Sequence, residues 1–224
     1  MEQLSYSWFK ARLAKITGSN MTRVMGGPRA WSSYARQIRE EMVILERIEA
    51  GEEIELGSDF DTEATSWGRK WEPAALAEHS FRQDCDVDVV GFVTHPKYPF
   101  IGCSVDGKVY KDGGLLGTVE VKCPYSESIH LHTLSCGVVP GGHIPQIQSG
   151  TWIMHVDRAH FVSFDPRRDL SRRYFFKEIK RDDEYIALME ARCLEFWDFV
   201  NSKNTEISRI KSGVSSSGTI PQLF

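Results

Sequence analysis

Apolar positions first recur with a helical period over residues 32–50, where Tyr34, Ile38, Met42, Leu45 and Ile48 fall on one face. Ahead of that stretch, Thr17 or Ser19 can cap a helix running to Met25, which Gly26-Gly27-Pro28 ends. A second long helix is expected over 62–82, carrying Trp67, Trp71, Leu76 and Phe81, with Pro73 turning or kinking it. The middle of the chain then changes to period two. Residues 87–93, 100–110 and 115–122 read as strands, the last two joined by Lys111-Asp112-Gly113-Gly114, which is hairpin punctuation. Helices are expected over 126–136 and 145–155, the latter opened by Pro145, and strands over 159–164 and 174–179. A last helix over 182–200 places Tyr185, Leu188, Arg192, Phe196 and Val200 in step. Helices precede, flank and follow a small sheet, so the fold class is mixed α/β.

The hairpin has two unlike faces. If it turns symmetrically about Gly113, facing residues have numbers that sum to 226, so Asp106 faces Glu120 and Ser104 faces Lys122. Residues two apart on a strand share a face, so these four line one side. The other side carries Ile101, Cys103, Val105, Val119, Val121 and Cys123, all apolar or small thiols. A slip of one residue would mix the two sets. Two facing carboxylates at about 5 Å repel by about 3 kcal/mol at an effective dielectric near 20. A divalent cation reverses that sign, and oxygen donors of this kind suit Mg²⁺ or Mn²⁺. Lys122, pointing to the same side, could orient a water or stabilise charge on a phosphate. A solvated strand face with a Glu–Lys or Asp–Lys surface pair accounts for the same pattern equally well.

Composition narrows the classes without choosing among them. The chain has 224 residues, 41% of them hydrophobic and 11% aromatic, enough to bury a core of its own. The expected organisation is one domain over 1–204 and a flexible Ser/Gly-rich tail over 205–224. No apolar run is long enough to span a bilayer. The start, MEQLSYSWFKARL, has polar residues where a secretory signal needs an apolar stretch, so a cytoplasmic protein is expected. Five cysteines without a C-x-x-C pair read as reduced thiols and argue against zinc or an iron–sulfur cluster. The formal charge of -4 excludes a polybasic coat for nucleic acid; any grip on phosphates must come from local clusters.

The residues of the polar face resemble a known core. Ser104-Val105-Asp106-Gly107 followed by Val119-Glu120-Val121-Lys122-Cys123-Pro124 is similar to the PD-(D/E)xK nuclease core. Trp8-Phe9-Lys10-Ala11-Arg12-Leu13 with Ile16-Thr17-Gly18-Ser19 resembles the opening of the phage lambda exonuclease family of viral recombinases. Ser66-Trp67-Gly68-Arg69-Lys70-Trp71-Glu72, Pro145-Gln146-Ile147-Gln148-Ser149-Gly150-Thr151-Trp152 and Phe164-Asp165-Pro166-Arg167 resemble further motifs of that family, in the same order. The likeness runs from about residue 7 to residue 200. Val105 stands where the family usually has proline before the metal-binding aspartate; valine suits the apolar strand face, so the geometry is expected to survive.

The resemblance implies a restriction-endonuclease-like core, a small mixed central sheet flanked by helices. It implies two Mg²⁺ ions, with Mn²⁺ as a substitute, held by Asp106, Glu120 and the Val121 carbonyl, with Glu72 reaching them through water. Lys122 would position the attacking water, Gln148 would orient from its helix, and Ser104 would contact the phosphate. Arg12 and Ser19 match a pocket for a 5′-phosphate, which suits a forked guanidinium beside a hydroxyl. Arg29 matches an arginine that touches the duplex near its minor groove. Glu72 as a helix-surface acid, Gln148 as a helix cap, and Arg12 with Ser19 as a surface arginine beside a capping serine are the plain alternatives. Trp67, Trp71 and Trp152 read as core.

The implied function is a 5′→3′ exonuclease on linear double-stranded DNA. It would release 5′-mononucleotides and leave 3′ overhangs for a phage single-strand annealing protein. A homotrimeric ring, in a phage or prophage protein of a bacterial host, would make it processive. A structure-specific or restriction-like endonuclease, and a catalytically dead DNA-end-binding module, are the rivals. The final Ile220-Pro221-Gln222-Leu223-Phe224 faintly resembles short peptides that dock on bacterial sliding clamps, although a terminus of no consequence is the plainer reading.

Overall fold

The computed structural model describes residues 3–57 and 62–214, with side chains through residue 202. In chain order the elements are α1 (Tyr6–Arg12), β1 (Ile16–Thr17), α2 (Met21–Met25), α3 (Pro28–Glu49), α4 (Glu63–Gln83), β2 (Asp86–Asp88), β3 (Val93–Thr94), β4 (Ile101–Cys103), β5 (Gly107–Lys111), β6 (Gly114–Lys122), α5 (Glu127–Cys136), α6 (Ile144–Met154), β7 (Arg158–Phe164), β8 (Tyr174–Lys180) and α7 (Asp183–Val214). Five strands form a mixed sheet in the order β2-β5-β6-β7-β8, where only β6 and β7 run parallel. Three short strands form a second sheet, β1-β4-β3. The expected mixed α/β class is what the chain forms.

Local chemistry explains most of the boundaries. Pro28 opens α3, where its fixed φ fits and its missing N–H costs nothing. Trp31, Tyr34, Ala35 and Ile38 then bury one stripe of that helix. The Thr62 hydroxyl caps α4 by accepting from the Thr65 N–H. Pro73 lies inside α4 without ending it, because Ala75, Leu76 and His79 beyond it are buried against the sheet and tertiary packing outweighs the lost hydrogen bond. The buried stripe of α7 is Ile186, Met189, Cys193, Phe196 and Val200. It is rotated from the one expected: Leu188 is half exposed. The helix also continues through residue 214, across the boundary expected at 204. Residues 215–224, with the clamp-like peptide, lie outside the described residues.

Two packed layers position the hairpin. One core joins α2, α3 and α7 to the small sheet through Met21, Tyr34, Ile101 and Phe196, with the Tyr34 and Phe196 rings stacked at 5.2 Å. Burying a side chain of that size contributes about 1.5–3 kcal/mol. The other packs α4 on the large sheet through Ala75, Leu76, Val119, Val121 and Val162. The five cysteines are all unpaired.

The expected hairpin register is the one formed near the site. Gly107 pairs with Val119, Lys108 with Thr118 and Val109 with Gly117, each summing to 226. Asp112 and Gly113 both have positive φ, which makes a tight two-residue turn. A bulge between Val109 and Tyr110 then shifts the register by one between turn and site. The long strand expected over 100–110 is divided, however. β4 belongs to the small sheet and β5 to the large one, and Ser104, Val105 and Asp106 form the crossing between them.

Candidate active site

At that crossing the β5–β6 pairing ends, at Gly107 and Val119. All six residues expected on the apolar face are buried. On the other side, Asp106 is half-buried and its Oδ2 accepts from the Val121 N–H at 2.7 Å. Glu120 is 4% exposed and paired with Lys122, whose Nζ lies 2.5 Å from Oε1. Glu72 comes from α4, and with Arg69, Thr65, Val121 and Lys122 it lines a cleft of about 300 Å³.

The electrostatics of this cluster are those of too many carboxylates. Burial, then Glu120 and Glu72, push the Asp106 carboxyl well above the usual carboxylate range. Burial and Glu120 also raise Glu72. Burial works against the Lys122 ammonium, but Glu120, Asp106 and Glu72 together outweigh it and raise its pKa above the ordinary lysine value. Three acids against one ammonium leave surplus negative charge among hard oxygen donors, the chemistry that suits Mg²⁺ or Mn²⁺. Among the described residues no three His, Cys, Asp or Glu side chains close into a ligand cluster. Asp106 turns to the backbone and Glu120 to Lys122 instead.

A second constellation lies against the first. The Arg12 guanidinium donates to the Ser104 hydroxyl at 3.3 Å and to Ser19 Oγ at 3.4 Å. It lies 4.2 Å over the ring of Trp8, whose indole N–H also donates to Ser104 Oγ, at 3.0 Å. With two donors on its oxygen, Ser104 has its own hydrogen left to give to an anion. Gly18 makes the close approach of α6 to this loop feasible: a Cβ there would meet Ser149 Oγ at 2.9 Å and Cys103 Cβ at 3.3 Å. Burial lowers the Arg12 pKa, opposed by Tyr34 and Glu41, and the guanidinium stays charged.

The structure therefore brings together Asp106, Glu120, Val121, Lys122 and Glu72, with Arg12, Ser19 and Ser104 beside them. It does not bring Gln148. That side chain is 3% exposed and its amide donates to Lys180 O at 2.9 Å while accepting from the Asp182 N–H at 3.0 Å. Lys180 pairs with Arg158, five residues along β7 from the Ser163 that faces Lys122, about 16 Å away. Gln146 is the glutamine on the other side of the helix. It shares a face with His143, whose pKa burial and then the Lys122 charge push down to about 4, and with Gly150, whose Cβ position meets Val105 at 3.0 Å. Arg29 is exposed in the first turn of α3. Two residues that the sequence shows only as members of motifs take on roles here: Trp8 props both Arg12 and Ser104, and Arg167 holds the loop after Lys122.

Residues 7–157 match the YqaJ-like viral recombinase domain. An alkaline exonuclease from Laribacter hongkongensis is 28% identical and superposes with a TM-score of 0.79 over 94% of this chain and all of its own. The same enzyme in complex with dAMP gives 0.81 at 26% identity, over 94% of this chain and all of its own. A phage-related exonuclease from Haemophilus somnus 129PT shares the fold at 14% identity, with a TM-score of 0.59 over 86% of this chain and 96% of its own. An uncharacterised protein of Acanthamoeba polyphaga mimivirus is 25% identical over 169 residues, 72% of this chain. The chain spans only 29% of that relative's length.

Proposed function

The chain belongs to the YqaJ-like viral recombinase domain family, and from that membership we propose that it is a metal-dependent exonuclease that degrades linear double-stranded DNA from 5′-phosphorylated ends. It releases 5′-mononucleotides and leaves 3′ single-stranded overhangs. The observation that carries this reading is the junction of two sites. Arg12 reaches Ser104 at 3.3 Å, and Ser104 stands two residues before Asp106. A terminal phosphate held by Arg12, Ser19 and Ser104 would sit beside the acids that cut the next phosphodiester. An internal cutter has no use for such a pocket.

The residues fit the reaction by their chemistry. Asp106, Glu120 and the Val121 carbonyl, with Glu72 through water, would hold two Mg²⁺ ions, for which Mn²⁺ could substitute. Bound there, the ions would supply water activation and stabilise charge on the scissile phosphate. Lys122, already anchored on Glu120, would hold the attacking water by its remaining hydrogens. Ser104 and the Arg12 fork would fix the terminal phosphate, giving the orientation that accelerates in-line attack.

The same reading makes the working form a homotrimeric ring threaded by duplex, in which a chain of net charge -4 need not rely on counterion release for its hold. It also makes the overhang a substrate for a phage single-strand annealing protein in a bacterial host. No helix among the described residues is long and apolar enough to cross a membrane. The test is digestion with Mg²⁺ of linear duplex and of covalently closed circles. Loss of the linear duplex with circles untouched is expected, and nicked or cut circles would transfer the assignment to an endonuclease.

A further inference from the structure

Asp165, at the end of β7, is fully buried. Arg167 grips its carboxylate with a fork: Nε donates to Oδ1 at 2.7 Å and Nη2 to Oδ2 at 3.1 Å. The same guanidinium donates to the carbonyls of Pro124 at 3.2 Å and Tyr125 at 3.0 Å, the second and third residues past Lys122. Its face lies 4.5 Å from the ring centroid of Trp67, five residues before Glu72 on α4. Trp67 in turn packs on Trp71 at 5.7 Å and on Tyr125 at 6.0 Å. Neither indole N–H meets a protein acceptor, so packing alone sets the position of these two rings.

One guanidinium thus touches the end of β7, the loop leaving Lys122 and the helix that carries Glu72. A buried carboxylate deprived of its partner is costly, so Asp165 keeps Arg167 in place. Arg168 is no substitute. Its Nε is 3.7 Å from Asp165 Oδ2, and its other end pairs with Glu127. We propose that Arg167, anchored by Asp165, is a positioning residue for the metal-ligating carboxylates, fixing Glu72 on α4 against the Glu120–Lys122 end of β6. The proposal rests on the metal-dependent reading above. The planar fork is what makes three directions of contact available at once, and lysine cannot reproduce it.

The test is calorimetric titration of the full chain with Mn²⁺, alongside nuclease kinetics, for wild type, Arg167→Lys and Arg167→Met. Loss of a group bonded directly to a metal ligand weakens affinity by about 10–100-fold, and Arg167 acts one contact further out. Arg167→Met is expected to bind Mn²⁺ about tenfold more weakly, at the low end of that range, and to lose kcat. KM for duplex and the preference for 5′-phosphate should stay unchanged, and Arg167→Lys should fall between. If Arg167→Met fails to fold, Asp165→Asn with Arg167→Met removes the stranded charge and is expected to show the same weakened affinity. A folded variant with wild-type Mn²⁺ affinity overturns the proposal, even if its kcat is low. Failure of the double variant to fold also overturns it, assigning the pair to general stability. Wild-type protein that binds Mn²⁺ but cuts no DNA would sink the nuclease reading and leave the brace standing. Wild-type protein that binds no Mn²⁺ would sink both.

Discussion

The Arg12 guanidinium donates to the Ser104 hydroxyl at 3.3 Å, and the backbone two residues on from Ser104 presents Asp106 to the acidic cluster. On the proposed reading, recognition of an end and hydrolysis of the adjoining bond would share one short stretch of chain, the crossing from the small sheet to the large one. Arg12→Gln keeps a polar side chain but loses the charge and the fork. Charged hydrogen bonds contribute about 1.5–3 kcal/mol, so the rate on 5′-phosphorylated ends should fall about 10–100-fold, and the rate on 5′-hydroxyl ends should change little. Competition between differently labelled substrates measures the ratio.

Asp106→Asn should abolish nuclease activity yet raise the melting temperature of the protein in chelator. The neutral amide still accepts from the Val121 N–H, and the repulsion from Glu120 and Glu72 is gone. A chain of this length gains about 2–4 °C for each kcal/mol relieved. Thermal melts in EDTA decide it, and a lower melting temperature would contradict the account of the acidic cluster.

The two glutamines of α6 should behave oppositely. Gln148→Ala strands Lys180 O and the Asp182 N–H, so it should cost about 1–3 kcal/mol of stability with kcat close to wild type. Gln146→Ala should cost little stability and lower kcat. Urea melts and steady-state rates on the same preparations separate the two effects.

A buried histidine pair gives a pH dependence of stability. His79 Nε2 lies 2.9 Å from His160 Nδ1 and His79 Nδ1 lies 2.7 Å from the Tyr174 hydroxyl. Burial and the neighbouring His160 push His79 down to about 4, and burial also lowers His160. A histidine in the unfolded chain protonates near 6.5, where folded His79 stays neutral. The His79 contribution is therefore whole above about 6.5 and is lost as pH falls toward about 4, and the lowered His160 acts in the same direction. Urea midpoints measured across that window should fall more steeply for wild type than for His79→Gln.

The hairpin was legible because its alternation has period two and every residue of the apolar face is buried. The break at Ser104–Asp106 was not, since a chain crossing between sheets can keep the same alternation. Pro-Gln-Ile-Gln places two glutamines about 200° apart on a helix, and nothing in the pattern says which side meets the site. Trp8 was visible as the start of a motif, but its role was not, because its bond to Ser104 spans 96 residues. The Asp165–Arg167 motif was visible as a string, but its role depends on Pro124, Tyr125 and Trp67, which only the fold assembles.

The most direct measurement follows both strands of end-labelled linear duplex under Mg²⁺, with 5′-phosphate or 5′-hydroxyl ends, for wild type, Arg12→Gln and Asp106→Ala. The account predicts progressive loss of the 5′-phosphorylated strand as mononucleotides, survival of the 3′-ended strand, slower attack by Arg12→Gln on that substrate alone, and silence from Asp106→Ala. Equal attack on both kinds of end by wild type, or degradation from 3′ ends, would contradict it.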